Sequence, residues 1–247
     1  MSDLTGRRAL VTGSSQGLGR VIAMELAKHG CEVIVNCAGH LEKAEQVVQE
    51  IRREGGRAEA FRCDITDETA VKALFAKFTP LDILVNNARL DPYFRKEGCS
   101  DADWFRKVLD VNVVGAYNCA MAFLEQARER RYGRIVNISS VRSFLPAEMN
   151  MIAYNTSKCA MHALTRAFAQ NGAPYGITCN TVAPGVIATE NFAKRISPEK
   201  QRQELSAVPL GRGATCEEVA DAVIFAITNG YITGDTINVN GGMYYEP

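Results

Sequence analysis

A tyrosine and a lysine four residues apart stand in the segment whose residue types carry the clearest chemistry. Tyr154 and Lys158 belong to a stretch with a helical pattern, in which residues four apart share one face. A free tyrosine, with a pKa near ~10, is a poor acid–base catalyst at neutral pH, but an adjacent ammonium favours its phenolate. The pair could therefore exchange a proton with a carbonyl or an alcohol. Alone, this spacing is weak evidence, because such pairs often arise by chance on exposed helices.

Two serines precede this helix, at the end of the apolar run from Arg134 to Ile138. Such a run is typical of a buried parallel strand. A hydroxyl at the end of the strand could hydrogen-bond the substrate oxygen on which the tyrosine acts. Ser139 and Ser140 both meet this requirement.

A glycine-rich turn lies near the N-terminus. A short strand from Arg8 to Thr12 leads directly into Gly13-Ser-Ser-Gln-Gly17-Leu-Gly19 and then into an amphipathic helix. This order is typical of the opening of a dinucleotide-binding βαβ unit, in which glycines let the backbone approach a pyrophosphate and the helix N-terminus supplies amides. The alternative is a turn that only starts the helix.

Strands alternate with helices along the rest of the chain. Further strands are predicted at 32–36, 58–63, 81–88, 134–138 and 176–182, with a last one beginning at Thr236. The pattern predicts one doubly wound, Rossmann-like α/β domain over 1–247, with a parallel sheet of about seven strands and helices on both faces. A helical region over 101–131 is interrupted near Asn112 and Gly115, and a second interruption is expected at Gln170-Asn-Gly172. The charged segment 186–212 predicts a lid over a substrate site.

The composition excludes several classes of protein. The 28 basic and 28 acidic residues give a net charge of +0, which predicts binding to neither nucleic acid nor an anionic membrane. The eight cysteines show no zinc spacing and fit buried thiols in a reducing cytosol. His29, His40 and His162 are interpreted as structural or surface residues, so no metal site is predicted. With neither a signal peptide nor a membrane span evident, a cytoplasmic location is expected.

The ordered motifs together resemble those of the short-chain dehydrogenase/reductase family, and the resemblance covers essentially the whole chain. It rests on Thr12-Gly13-x-x-x-Gly17-x-Gly19, Asp64, Asn86-Asn87-Ala88, Asn112, Ser140, Tyr154 with Lys158, Asn180, Pro184-Gly185 and Ile232-Thr-Gly234. The resemblance implies an NAD(P)-dependent oxidoreductase that transfers a hydride between the nicotinamide and a secondary alcohol or carbonyl.

The resemblance also implies a role for each catalytic residue. Tyr154 would be the general acid/base, and Ser140 would position and polarise the substrate oxygen. Ser139 stays an alternative, because 14 residues separate Ser140 from Tyr154, one more than is usual. Lys158 would hold the nicotinamide ribose and lower the pKa of the tyrosine. Asn112 would hold a water that continues the proton relay to solvent.

A set of cofactor-binding residues follows from the same resemblance and includes Tyr154 and Lys158. The other members are Gly13, Ser15, Gln16, Gly17, Leu18, Gly19, Asn36, Asp64, Ile65, Asn87, Ala88, Pro184, Gly185, Ile187 and Thr189. Asp64 could instead only cap the helix that follows it. NAD-preferring members carry an acid at the end of strand two, where this chain has Asn36-Cys-Ala-Gly-His40. NADP is therefore favoured over NAD, with His40 or Lys43 as partners of its 2′-phosphate.

Two arginines depart from the family pattern. Arg89 stands where the family has glycine, and Arg142 stands where a small residue is usual. The resemblance places both near the nicotinamide end of the cleft, where unpaired guanidiniums would attract a carboxylate, sulfonate or phosphate. An anionic substrate such as a sugar acid or a sulfonated sugar is therefore expected. The alternative is that each arginine pairs with a local acid, for example Asp91, Glu97 or Glu148.

Other functions stay open. The main rival substrate is a 3-oxoacyl thioester of fatty-acid-type synthesis, as in the carrier-protein reductases that the chain resembles overall. A non-catalytic dinucleotide-binding sensor or scaffold would have no need of Ser140. A methyltransferase-like protein would normally carry an acid where Asn36 stands. The apolar, aromatic C-terminus, together with the family resemblance, predicts a homotetramer.

Overall fold

One parallel sheet organises the residues that the computed structural model describes, which are 4–189, 192 and 196–245. Its strands are β1 (Arg8–Val11), β2 (Glu32–Cys37), β3 (Arg57–Arg62), β4 (Ile83–Asn86), β5 (Gly133–Ile138), β6 (Ile177–Pro184) and β7 (Thr236–Val239). They lie in the order β3-β2-β1-β4-β5-β6-β7. The order reverses between β1 and β4, and ligands of such sheets bind in the crevice at this point, beyond the carboxyl ends of the strands. The predicted doubly wound sheet is confirmed.

Helices cover both faces of the sheet. They are α1 (Gly17–Lys28), α2 (Leu41–Arg53), α3 (Glu68–Lys77), α4 (Asp101–Leu109), α5 (Gly115–Arg130), α6 (Ile152–Gly172), α7 (Pro198–Ser206) and α8 (Cys216–Thr228). Ala9 and Val11 of β1 share a core with α1, α2 and α8, whereas Leu10 belongs to the core of α3, α5 and α6. Because both faces of the central sheet are buried, β1 and β4 read as short apolar runs, whereas the edge strand β3 carries charged residues.

Two predicted helix interruptions have different outcomes. A π-helical turn, Asp110–Val114, joins α4 to α5 and confirms the interruption near Asn112. The interruption predicted at 170–172 is wrong, since α6 runs through to Gly172. A Cβ on Gly172 would lie 3.1 Å from the Cβ of Ile177. This glycine therefore allows the end of α6 to pack closely on β6.

The segment predicted as a lid contains α7. Residues 190, 191 and 193–195 of that segment lie outside the described residues, and the lid itself stays a prediction. Within the described ranges, no helix is both long and apolar enough to cross a membrane. The same ranges contain no cluster of three or more His, Cys, Asp or Glu side chains arranged to hold a metal ion.

Candidate active site

A cleft of about 670 Å³ opens at the carboxyl ends of the strands. It extends from the glycine-rich turn after β1 to α7, and the loops after β2, β3, β4, β5 and β6 line it. All the predicted cofactor residues except Lys158 border it, as do Arg89, Ser140 and Arg142. Lys158 and Asn112 are buried and are not among the described residues that line the cleft. The topology therefore brings residues from six separate loops to one site.

The glycine-rich turn has the geometry that a pyrophosphate requires. Within the described chain, α1 begins at Gly17 with no capping side chain and no acidic residue in its first turn. Its first amides and the positive end of its dipole are therefore available to an anion. A Cβ on Gly13 would lie 2.8 Å from the Cα of Ala88, so a side chain here would push the turn away from the loop after β4. The turn fits a dinucleotide at this end of the cleft.

Asn36, predicted to bind the cofactor, uses its amide inside the protein. Its Oδ1 accepts a hydrogen bond from the Gly13 amide at 3.2 Å, and its Nδ2 donates to the carbonyl of Cys63 at 3.0 Å. The side chain thus connects the end of β2 to the residues that follow β1 and β3. The next four residues, 37–40, border the cleft and include no acid.

Asn87 and Asp64 also line the cleft. The Asn87 Nδ2 donates to the carbonyls of Thr12 and Gly13, while its Oδ1 is buried with no hydrogen-bond partner among the described residues. A donor on a nicotinamide dinucleotide would satisfy that atom. Asp67, rather than Asp64, caps α3. The capping alternative for Asp64 is therefore wrong.

Ser140 and Tyr154 meet at the substrate end of the cleft. Tyr154 lies in the first turn of α6, half-buried, with Ser140 near enough to lower the pKa of its phenol. The Ser140 Oγ accepts from the amide of Arg142 at 3.2 Å, which fixes its direction. Ser139 is turned into the protein, where its hydroxyl donates to the carbonyl of Lys158 at 2.9 Å. Between the two serines, this geometry favours Ser140 as the partner of Tyr154.

Lys158 is buried behind Tyr154. Its Nζ donates to the carbonyl of Ile138 at 2.7 Å and lies 5.6 Å from the centroid of the tyrosine ring. Burial lowers the pKa of Lys158 to about 7, and the positive charge of Arg89 acts in the same direction. Its charged form is therefore less favoured than that of a free lysine, contrary to the steady ammonium that the sequence predicts.

The charges around Tyr154 differ from the predicted ones. Burial raises the pKa of the Tyr154 phenol, and the largest opposing effect comes from Arg89, with smaller ones from Ser140 and Arg142. Asp91 raises the same pKa. The prediction gave this task to Lys158, whereas in the structure a residue of the loop after β4 has the greatest lowering effect.

Asn112 clamps that loop. Its Oδ1 accepts from the amide of Leu90 at 2.6 Å, and its Nδ2 donates to the carbonyl of Leu90 at 2.9 Å and to the Ser157 hydroxyl at 2.9 Å. The Ser157 hydroxyl in turn donates to the carbonyl of Tyr154 at 2.7 Å. Asn112 thus joins the loop after β4 to the turn of α6 that carries Tyr154. Its role in holding a water stays a prediction.

The two arginines border the cleft, but they are not unpaired. The Arg89 Nη2 lies 3.3 Å from the Asp91 Oδ2, and the Arg142 Nη2 lies 2.6 Å from the Glu204 Oε2. The expectation of two unpaired guanidiniums is therefore wrong, because each arginine has an acidic partner within the fold. Asp91 was one of the acids considered, whereas Glu204 was not.

His162, interpreted from the sequence as a structural or surface residue, is buried beside the turn that carries Ser140. His162 contacts the hydroxyls of Ser139 and Ser143, in the turn after β5. It follows Lys158 by four residues, so both lie on the inner face of α6. That spacing was the signal available. It was too weak to separate His162 from an ordinary core residue.

Comparison with known proteins agrees with this geometry. The sequence profile of short chain dehydrogenases matches residues 7–200. A 3-oxoacyl-[acyl-carrier-protein] reductase of Staphylococcus aureus is 39% identical over 246 residues, covering 96% of this chain and 98% of the relative.

Two solved structures have the same fold and hold a cofactor. A 3-oxoacyl-[acyl-carrier protein] reductase of Brucella melitensis with bound NAD has a TM-score of 0.89 and 30% identity, over 99% of this chain and 93% of that one. A gluconate 5-dehydrogenase of Burkholderia cenocepacia in complex with NADP and tartrate has a TM-score of 0.86 and 32% identity, over 98% and 96%. This chain therefore belongs to the short-chain dehydrogenase/reductase family and is an NAD(P)-dependent oxidoreductase.

Proposed function

We propose that this enzyme interconverts a secondary alcohol and its carbonyl, with Tyr154 as the general acid/base. The observation that carries the proposal is that Tyr154 and Ser140 border the same cleft as the glycine-rich turn, with Ser140 near enough to lower the pKa of the phenol. A bound nicotinamide supplies or accepts the hydride. Tyr154 gives a proton to the substrate oxygen in reduction and takes it back in oxidation.

Three other residues support the tyrosine in this proposal. Ser140 donates a hydrogen bond to the substrate oxygen and holds it at the tyrosine. Lys158, whose ammonium has three donors and gives one to Ile138, directs the others toward the nicotinamide ribose. Asn112 fixes the loop after β4 and is the candidate holder of the relay water.

A spectroscopic screen tests this function. The purified protein is mixed with NADH or NADPH and a panel of carbonyl compounds, and oxidation is followed by the loss of the reduced nicotinamide's near-ultraviolet absorbance. Turnover that disappears in Tyr154→Phe supports the proposal. A sensor or scaffold would instead bind the cofactor, seen by fluorescence, without turning over any compound of the panel.

We propose NADP as the preferred cofactor. The support is the uncharged surface of residues 37–39, which leaves room for a 2′-phosphate, with His40 at the border of the cleft. Lys43 is exposed on α2 and stands further along the chain. Comparing kcat/KM for the two cofactors decides the question, and a tenfold or greater preference for NAD would overturn the proposal.

We further propose that the substrate carries an acidic group, as a sugar acid or a sulfonated sugar does. The support comes from Arg142, which borders the cleft beside Ser140 and can exchange Glu204 for a substrate anion. The tartrate held by the Burkholderia relative is itself a hydroxylated diacid. Arg142→Ala should raise KM for an anionic substrate about tenfold or more, which corresponds to one charged hydrogen bond, and leave KM for a neutral analogue unchanged.

A 3-oxoacyl thioester is the second candidate substrate. Two observations favour it: the 39% identity to the Staphylococcus aureus reductase, and apolar side chains that line the cleft near α7. These are Phe94, Met151, Phe192, Ile196 and Met243. In this case short 3-oxoacyl thioesters would be reduced faster than sugar acids are oxidised. Arg142→Ala would have little effect on KM for these thioesters, because their acyl portion is neutral.

We propose a homotetramer that works in the cytoplasm. Val114, the last residue before α5, and Tyr117 and Met121 on α5 form an exposed apolar stripe, and Tyr231 and Tyr245 are exposed near the C-terminus. Large apolar stripes of this kind usually mark an interface between protein chains. Light scattering should give a mass near four chains at micromolar concentration, and a monomeric mass would exclude the proposal.

A further inference from the structure

Arg89 is fixed at the wall of the cleft by the backbone on both sides of it. The amide of Ala88 donates to the Thr12 hydroxyl at 3.0 Å, and both backbone groups of Leu90 are held by Asn112. Asn112 reaches the helical turn of Tyr154 through Ser157. The loop therefore has a set position relative to the tyrosine, and its anchors do not include the Arg89 side chain.

Asp91 restrains the guanidinium. Its carboxylate is 9% exposed, accepts from Arg89 at 3.3 Å through Oδ2, and accepts from the amide of Tyr93 at 3.2 Å through Oδ1. The Arg89 side chain is 39% exposed. A rigid, nearly buried carboxylate thus holds a more exposed cation against the cleft.

The two charges act in opposite directions on the same groups. Arg89 lowers the pKa of both Tyr154 and Lys158, whereas Asp91 raises both. Because the pKa of Lys158 is about 7, its charge varies over the range in which an enzyme of this kind works. A guanidinium keeps its charge throughout that range, so it is the steadier cation.

We propose that Arg89 is a positioning residue of the acid/base site, which acts through Tyr154: held by Asp91 on a loop tied to the turn of Tyr154, its guanidinium keeps a permanent positive charge in the cleft that the tyrosine also borders and stabilises the phenolate. This inference rests on the proposed function of Tyr154. It assigns to the loop after β4 the electrostatic task that the sequence suggested for Lys158.

Other charged groups in the cleft also affect the electrostatic potential at Tyr154, in addition to the Arg89–Asp91 pair. Arg142 of the turn after β5 also lowers the pKa of Tyr154, and it is paired with Glu204. Among the described residues that line the cleft, Glu148 and, on α7, Lys200 are the other charged side chains of the substrate end. Lys200 lies 3.6 Å from Glu204, so it belongs to the group around Arg142.

A pair of opposite substitutions tests the inference. Arg89→Gln removes the cation, and the apparent pKa of the acid/base group in the pH profile of kcat/KM should rise by about one unit or more. Asp91→Asn keeps the acceptor for the Tyr93 amide, frees the cation from its counter-charge and should lower the same pKa. Arg89→Lys, which keeps the charge, should restore most of the wild-type profile.

The control is Arg106→Gln, which removes an arginine of an exposed pair with Asp103 on α4 and should leave the profile unchanged. Thermal unfolding checks that each variant is folded. If Arg89 only braces the loop, Arg89→Gln and Asp91→Asn will both slow the enzyme with unshifted profiles. Unshifted profiles, or shifts in the same direction, overturn the inference.

A titration without substrate separates this inference from the proposed function. The ultraviolet absorbance of tyrosinate is followed with pH in each variant, and the signal of the same variant carrying Tyr154→Phe is subtracted. The difference reports the Tyr154 phenol alone and requires no turnover. The pKa of the Tyr154 phenol could shift in the Arg89 and Asp91 variants although the protein turns over no substrate. That result would support the electrostatic role of Arg89 and exclude the proposed catalytic role of Tyr154.

Discussion

The Nε2 atom of His162 lies 2.9 Å from the Oγ of Ser139 and 2.8 Å from the Oγ of Ser143. Both hydroxyls already donate to carbonyls, that of Ser139 to Lys158 at 2.9 Å and that of Ser143 to Ser140 at 2.6 Å. Each hydroxyl has one hydrogen, so the proton between these atoms must come from Nε2. The histidine therefore donates to both serines and fixes the turn that presents Ser140.

This arrangement sets the protonation state of His162. Since Nε2 carries the proton, Nδ1 is free to accept from the Thr236 hydroxyl, 3.0 Å away. Both nitrogens of a neutral imidazole are then satisfied, and an added proton would face the Thr236 hydroxyl. Burial, together with the charges of Arg166 and Lys158, lowers the pKa of His162 from 6.5 to about 4.

We expect the protein to lose stability on mild acidification because of His162. Between its folded pKa of about 4 and the unfolded value of 6.5, only the unfolded chain takes up the proton, so the free energy of unfolding falls as pH falls through this window. The expected loss is about 2 kcal/mol between pH ~7 and pH ~5. Urea unfolding at the two pH values measures it. His162→Gln should remove most of the difference and His40→Gln should keep it; an unchanged difference in His162→Gln would contradict the assignment.

Tyr154→Phe should lower kcat by about 10²–10⁴, the usual contribution of a positioned general acid/base. The substitution removes one hydroxyl and leaves the ring that packs beside Lys158. Fluorescence titration should show that NADPH still binds with nearly unchanged affinity. Turnover within a few-fold of wild type would show that another group transfers the proton.

Ser139→Ala and Ser140→Ala form a matched pair. Ser140→Ala removes a donor to the substrate oxygen and should reduce kcat by about 10²–10³, the typical cost of removing one such donor. Ser139→Ala removes a buried hydrogen bond to α6 and should cost about 1 kcal/mol of stability with a smaller loss of activity. The reverse order of activities would move the catalytic role to Ser139.

Ala38→Asp should reverse the cofactor preference. Ala38 borders the cleft just after β2, and a carboxylate there would repel a 2′-phosphate and accept from a 2′-hydroxyl. We expect kcat/KM for NADPH to fall by about tenfold or more, in line with one charged contact, while the value for NADH is kept or rises. Gln49→Asp, which adds a carboxylate on the exposed face of α2, is the control and should leave both values unchanged. An equal loss with both cofactors would mean that the substitution only disturbs the fold.

The local patterns predicted the frame of the site because parallel strands end at one edge of the sheet. Gly13, Asn87 and Ser140 each follow a strand, and the order of strands brings them to one cleft. The spacing of Tyr154 and Lys158 likewise sets which face of α6 they share. Both the strand ends and the i,i+4 spacing depend on only a few neighbouring residues, so they can be read from the sequence.

What the sequence did not reveal depends on contacts between distant segments. Arg142 meets Glu204, 62 residues later, and the amide of Asn36 is used by two neighbouring loops. The pKa of Lys158 follows from its burial and from Arg89, neither of which a spacing rule contains. Such pairings are set by the packed fold, so a motif identifies the residue and leaves its charge state and partner open.

The π-helical turn Asp110–Val114 determines where this chain can change its length. A π turn holds one residue more than an α turn, and Asn112 reaches Leu90 from within it. Because the turn accommodates its extra residue within about one rotation, losing one residue here would leave a regular α turn, with α5 in nearly the same orientation. Gly115, on which a Cβ would lie 2.6 Å from the Ile65 side chain, would stay beside its neighbour, and Phe123 would stay in the core. A one-residue deletion at this turn should therefore spare the fold and remove the backbone turn from which Asn112 holds the loop after β4.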